Sequence, residues 1–172
     1  MDAVFCRGFR DPEYVGPCLH RASVVHLEDG LYFCDVGFGG PMPGGAVKIE
    51  DGYERTILGE HFGIAKDDEY WWTIWRTNSK GERQNALQFN LFPQTNSEFL
   101  APNAYCCSDS SNFRKRFFLN LRTPGGHYSL GDKVFRIEDN GTATEEVIED
   151  RERLEEVLDK YFGLGGVMAQ FE

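Results

Sequence analysis

Five cysteines occur in the 172 residues, at positions 6, 18, 34, 106 and 107, with no C-x-x-C pair and no metal-ligand spacing. That excludes a zinc knuckle and a dithiol redox motif, and no metal is expected. The odd count fits a reducing compartment, so a cytoplasmic location is expected. The start, Met1-Asp2-Ala3-Val4-Phe5-Cys6-Arg7, lacks a basic region followed by a long apolar stretch, so it does not read as a secretory leader. No stretch approaches the roughly 20 apolar residues of a membrane span, so no membrane partner is expected. Basic charge is also scarce, with 18 Lys and Arg against 28 Asp and Glu and a net charge of −10. Nucleic acid is therefore excluded as a partner, because phosphate binding needs a positive footprint. The one basic cluster, Arg114, Lys115 and Arg116 with Arg122, reads as a solvated face.

What is present is apolar and aromatic. Contents of 41% and 14% suffice for a packed interior, which argues against wholesale disorder. The acidity is concentrated, since ten acidic and two basic residues between Glu138 and Asp159 carry −8 of the total. A helix over about 150–162 accounts for much of it. Leu154, Val157, Leu158, Tyr161 and Phe162 fall at i, i+3, i+4, i+7 and i+8 and form one apolar stripe. Asp150 can cap its start, Gly163 can end it, and the charged residues form its wet face.

Ahead of that helix the sequence reads as β-structure. Segments 21–27 and 31–36 flank Asp29-Gly30, a hairpin signal. Strands are expected at 46–50 and 53–58 around Asp51-Gly52. They are also expected at 69–77 and 83–92, joined by the turn-like Asn78-Ser79-Lys80-Gly81. This spacing suggests an antiparallel barrel or sandwich. Residues 93–112 turn polar and read as a crossing loop with one helical turn. A second β-rich piece begins near Phe117 and includes 126–130, 133–138 and 142–148. Trp71, Trp72 and Trp75 are expected in barrel packing and Tyr105 in the core. His26, His61 and His127 show no partner pattern and read as surface or packing residues.

The pairing of His20 with Asp35 carries the chemistry. A carboxylate beside an imidazole is the orienting half of a nucleophilic triad, and the glycines of Asp35-Val36-Gly37-Phe38-Gly39-Gly40-Pro41 let backbone approach a ligand closely. Hairpin arithmetic permits the pair without delivering it. With Asp29-Gly30 as the two turn residues, His20 faces Gly39 and Asp35 faces Val24. The two functional residues then lie about 13 Å apart along the sheet. Centring the turn one residue earlier, or adding bulges, makes them diagonal neighbours.

The stretch Leu19-His20-Arg21-Ala22-Ser23-Val24-Val25, followed by Tyr32-Phe33-Cys34-Asp35-Val36-Gly37-Phe38-Gly39-Gly40, resembles the arylamine N-acetyltransferase family, where a T-H-x-x-L-L-V strand leads to a D-V-G-F-G turn. Glu98-Phe99-Leu100-Ala101-Pro102-Asn103-Ala104-Tyr105-Cys106-Cys107-Ser108 is similar to that family's D-F-E-x-x-N-x-Y-x-S segment, and residues 154–164 resemble its closing helix. The fold this implies is α+β and mainly β: an antiparallel β-barrel over 1–112 and a small α/β lid with a C-terminal helix over 113–172. Together these would be part of a papain-like or transglutaminase-like cysteine acyltransferase fold.

The resemblance implies acetyl transfer from acetyl-CoA to an arylamine, hydrazine or N-hydroxyarylamine through a cysteinyl thioester. His20 and Asp35 would be the catalytic histidine and aspartate. Gly37, Phe38, Gly39 and Gly40 would line the acyl and cofactor cleft, with Phe38 shaping the acceptor pocket and Phe113 matching an aromatic that closes it. The family's nucleophile lies in an R-G-G-x-C-x-E-x-N run that this sequence does not contain, and Leu19 stands where the family has threonine. Cys6, Cys18 and Cys34 lack the nucleophile's context and read as small packing or surface thiols. The expectation is therefore a truncated or split form that is inactive alone. Its partners would be a small aromatic amine or hydrazine and a separate N-terminal helical segment, or a second copy of itself. The alternative is a non-catalytic module binding CoA or an aromatic ligand.

Overall fold

The computed structural model describes residues 1–9, 16–40, 42–78 and 80–166, in two compact units, Met1–Lys115 and Arg116–Glu172. Eight strands make the first unit: β1 (Asp2–Gly8), β2 (His20–Leu27), β3 (Gly30–Cys34), β4 (Val47–Lys48), β5 (Glu54–Ile57), β6 (Glu60–Lys66), β7 (Trp71–Thr77) and β8 (Arg83–Asn90). They form one antiparallel sheet in the order β4-β3-β2-β1-β8-β7-β6-β5. The sheet curls into a near-closed barrel, which brings β4 against β6.

Alternation fills the barrel. Val4 and Cys6 of β1, Ala22 and Val24 of β2, Phe62 and Ile64 of β6, and Leu87 and Phe89 of β8 join Phe33 and Ile74 in one buried cluster. Phe33 and Phe89 meet with ring centroids 4.5 Å apart. Trp75 is buried and Trp72 packs against the cluster, as expected for barrel residues. Trp71 is only half-buried and carries the Arg7 guanidinium 4.0 Å above its ring.

Two strands went unread in the sequence. β1 is at the centre of the sheet, between β2 and β8. The strand read over 53–58 is present as β5, and the unread β6 follows it, because Leu58 (φ 49°) and Gly59 (φ 81°) turn the chain back into a hairpin. The 69–77 and 83–92 strands are present as β7 and β8, and the Asn78 carbonyl accepts the Gly81 N–H at 2.9 Å in the turn between them. Ser79 of that turn and Pro41 of the glycine run lie outside the described residues.

The expected crossing loop is more helical than one turn. A 3-10 turn over Asn96–Phe99 runs into α1 (Leu100–Cys106), and α2 (Asn112–Lys115) follows. The Glu98 carboxylate accepts the Thr95 N–H at 2.5 Å and starts the segment. Tyr105 is not in the core: α1 buries none of its residues, and Tyr105 is 49% exposed.

In the second unit β9 (Phe118–Thr123), β10 (Gly126–Gly131), β11 (Val134–Asp139) and β12 (Thr142–Val147) form an antiparallel sheet in the order β12-β11-β10-β9. Helix α3 (Arg151–Phe162) closes over it. Its apolar stripe, with Val157 and Leu158 fully buried, packs with Leu130, Phe135 and Ile148. The caps are those the sequence gives. The Asp150 carboxylate accepts the Arg153 N–H at 2.8 Å, and Gly163 ends the helix at φ 66°. The basic cluster is solvated as expected, with Arg116 on Asp132 at 3.0 Å and Arg114 on Asp109 at 3.6 Å. No helix among the described residues is long and apolar enough to cross a membrane.

Candidate active site

His20 opens β2. By alternation it shares the inward face of Ala22 and Val24, at the mouth of the barrel, where its side chain is 23% exposed. The β2–β3 register pairs Leu27 with Gly30 and Ser23 with Cys34, so Glu28 and Asp29 are the turn residues. The turn is thus centred one residue before the Asp29-Gly30 reading. Carried one step past β3, this register sets Asp35 opposite Ala22, diagonal to His20 on the same inward face. The two side chains meet: the Asp35 Oδ2 and His20 Nε2 are hydrogen-bonded.

The carboxylate is tied down on its other side as well. Asp35 Oδ1 accepts the Gly37 N–H at 2.7 Å and the Phe38 N–H at 2.9 Å, and its side chain is 1% exposed. Burial alone would push the carboxyl up. Hydrogen bonds from His20, Gly37 and Phe38, with the His20 charge, outweigh that and hold it below the usual aspartate range. An ionised Asp35 accepts the Nε2–H, which leaves the Nδ1 lone pair of His20 as the available base.

The glycine run shapes the rest. Phe38 sets its ring edge-on to the imidazole, with centroids 5.0 Å apart at 76°. Gly39 turns the chain at φ 80°, and its carbonyl accepts the Met42 N–H at 3.2 Å. At Gly40 (φ 22°) a Cβ would meet nothing within 4 Å. Phe113 lies on α2, is 60% exposed, and its N–H donates to the Ser111 hydroxyl at 3.2 Å.

The three thiols nearest the pair in sequence are all held above the ordinary cysteine value. Cys6 pairs with His20 across β1 and β2 but is fully buried, and burial, then Asp35 and Cys18, push its thiol far up. Burial also raises Cys18 and Cys34. The other histidines, read as lacking a partner pattern, each face a carboxylate: His26 with Asp2 at 2.6 Å, His61 with Glu54 at 3.1 Å, and His127 with Glu138 at 3.8 Å. No cluster of three or more metal-ligating side chains occurs among the described residues.

Sequence reasoning missed Gly8, whose Cα backs the Phe38 ring: a Cβ there would stand 2.7 Å from Phe38 Cζ. The contact spans 30 positions and depends on β1, so no local pattern announces it.

Comparison with known proteins gives this arrangement a lineage. The model of the N-acetyltransferase family matches residues 6–169. The chain belongs to the arylamine N-acetyltransferase family. Among that family's curated members, the Escherichia coli arylamine N-acetyltransferase is 28% identical over 159 residues, which cover 90% of this chain and 56% of that protein. The Salmonella typhimurium arylamine N-acetyltransferase / N-hydroxyarylamine O-acetyltransferase is 26% identical, over 90% of this chain and 55% of that protein. The chain thus spans just over half the length of the curated relatives it matches. Solved arylamine N-acetyltransferases have the same fold. That of M. tuberculosis superposes with a TM-score of 0.87 at 17% identity, over 98% of this chain and 64% of that one. That of Mycobacterium marinum in complex with CoA superposes with 0.83 at 18%, over 95% and 62%. The mainly-β barrel and the sheet with its C-terminal helix are therefore the fold of arylamine N-acetyltransferases.

Proposed function

We propose that this chain supplies the base, its orienting carboxylate and the acyl-site loop of a Cys-His-Asp acetyltransferase, and that the cysteine comes from a segment these residues do not include. The observation that carries the reading is the Asp35–His20 pair at the barrel mouth, with Nδ1 left as the base. Acetyl-CoA, the co-substrate in this reading, supplies an acetyl group activated as a thioester. The space beside the Gly40 Cα suits a pantetheine arm.

In this reading each group has one task. His20 Nδ1 takes the proton of the incoming thiol, and the thiolate so formed is the nucleophile. Asp35 keeps Nε2 protonated and balances the imidazolium while Nδ1 holds the proton. Nδ1 then returns it to the leaving CoA thiol. In the second half-reaction the amine attacks the thioester carbonyl, the C–S bond breaks as the C–N bond forms, and Nδ1 takes the amine proton and passes it to the departing cysteine thiolate. Phe38 is assigned to the acceptor pocket, with an arylamine, hydrazine or N-hydroxyarylamine as acceptor and Phe113 as a further aromatic wall. Residues 1–112 would form the barrel domain and 113–172 the lid. A reducing cytoplasm suits the required thiolate.

The second reading, a non-catalytic module that binds CoA or an aromatic ligand, is favoured by the raised thiols of Cys6, Cys18 and Cys34. One experiment separates the two. The chain is incubated with radiolabelled acetyl-CoA, alone and with a separately made polypeptide carrying an R-G-G-x-C-x-E run. The proposal expects no label on the chain alone, and acetylated arylamine only in the mixture. Stoichiometric label on any of the chain's own five cysteines overturns it. CoA binding by calorimetry without turnover in the mixture establishes the module instead.

A further inference from the structure

We infer that Gly8 and Phe38 form a positioning pair that holds the His20 imidazole through an edge-to-face ring contact, in addition to its bond to Asp35. The inference rests on the proposed role of His20, and it gives a role to Gly8, which that reading leaves without one, and a second role to Phe38. Val4 and Cys6 of β1 are buried in the barrel, and by alternation Gly8 continues their face to the strand's last position. Its backbone is not in the left-handed region, so conformational freedom is not the reason for glycine here. The reason is space.

A Cβ at position 8 would stand 2.7 Å from Phe38 Cζ, 3.4 Å from Cε2 and 3.7 Å from Cε1, directly ahead of the ring's para carbon. Cζ lies on the Cβ–Cγ axis, so turning the ring about that axis does not move it. Relief requires a change at χ1 or a shift of the 35–40 backbone. Both routes reach the imidazole. The Phe38 ring stands edge-on to His20 at 5.0 Å, and the Phe38 N–H is one of the donors on Asp35. The bare backbone of Gly8 thus gives the ring tip a seat, and the seated ring fixes one side of the histidine.

The test reads the imidazole itself and uses no acetyl-CoA, so its failure is distinct from failure of the proposed activity. Long-range 1H–15N spectra of the folded chain should show His20 as one Nε2–H tautomer bonded to Asp35. Gly8→Ala is expected to shift both ring nitrogens of His20 and to broaden or mix the tautomer. Phe38→Tyr, whose hydroxyl grows from Cζ into the same seat, is expected to do likewise. The double variant Gly8→Ala/Phe38→Leu, which has no para carbon, is expected to restore the single tautomer. If Gly8→Ala does not fold, Phe38→Tyr decides the matter alone. Unchanged His20 nitrogens in the folded Gly8→Ala and Phe38→Tyr chains overturn the inference, and so does a double variant that leaves the tautomer mixed.

Discussion

Asp35 is one side chain with three donors on it: the imidazole of His20 and the N–H groups of Gly37 and Phe38. Its ionisation therefore matters to folding as well as to the proposed chemistry. Because the folded-state value is depressed, the stabilisation is present above the unfolded aspartate value of about 3.9 and is lost as pH falls through the folded value. Asp35→Asn keeps an acceptor for the two backbone donors but presents an amide N–H to His20. It should drive the imidazole to the Nδ1–H tautomer and cost about 2 kcal/mol at pH 7, as for a hydrogen bond to a charged group. Urea unfolding at pH 7 and at pH 3 checks this, because the variant's deficit should shrink at the lower pH. A deficit that persists unchanged in acid would assign the loss to packing. Both members of this pair were legible in the sequence, but their contact was not. Asp29-Gly30 is the stronger local turn signal, yet the chain turns at Glu28-Asp29, and that one-residue difference converts about 13 Å into a hydrogen bond.

The same contest between local signal and long-range register decides which elements could be read. Helix α3 was fully legible, because its stripe, its Asp150 cap and its Gly163 stop are all written within 14 residues. The hairpins of the second unit were legible for the same reason. β5 was read but β6 was not, because the turn that pairs them is Leu58-Gly59, and leucine is not a turn residue. Leu58 holds φ 49° in the left-handed region, a conformation that costs an ordinary L-residue about 1 kcal/mol or more. Leu58→Asn should recover about 1 kcal/mol of that strain in urea unfolding, since asparagine visits this region readily and suits a two-residue hairpin turn. Leu58→Val should lose stability, because a β-branched residue tolerates that φ worst. If asparagine destabilises instead, the contacts of the leucine side chain outweigh the turn. β1 was unread for a different reason. Its inward residues, Val4 and Cys6, alternate with Ala3, Phe5 and Arg7, and no turn signal marks its end. Only pairing with β2 and β8 makes it the central strand.

At the scale of the whole chain, the two buried clusters share no residue. One lies inside the barrel around Phe33, Phe62 and Phe89, and the other lies between a four-stranded sheet and α3 around Leu130, Phe135 and Leu158. Composition made a packed interior certain but could not apportion it. The division follows from register, which sends Leu130 to face Leu119 and Phe135 on the helix side of the second sheet. Much of the concentrated acidity belongs to the same unit, where Arg153 ties Glu146 of β12 at 2.7 Å to Glu156 of α3 at 2.8 Å. The charge run is therefore the outer surface of a folded element. Each unit with its own core should lose its own protection when that core is opened. Leu130→Ala removes a fully buried side chain and should cost about 2–5 kcal/mol in the second unit. Hydrogen exchange on the whole chain reads the effect position by position. Amides of β10, β11 and α3 should exchange faster, while those of β1, β2 and β8 keep their rates, and the Nε2–H of His20 stays in its bond to Asp35. Equal acceleration at β1, β2 and β8 would mean that the chain unfolds as one cooperative body, with the barrel depending on a core more than 100 residues away in sequence from His20.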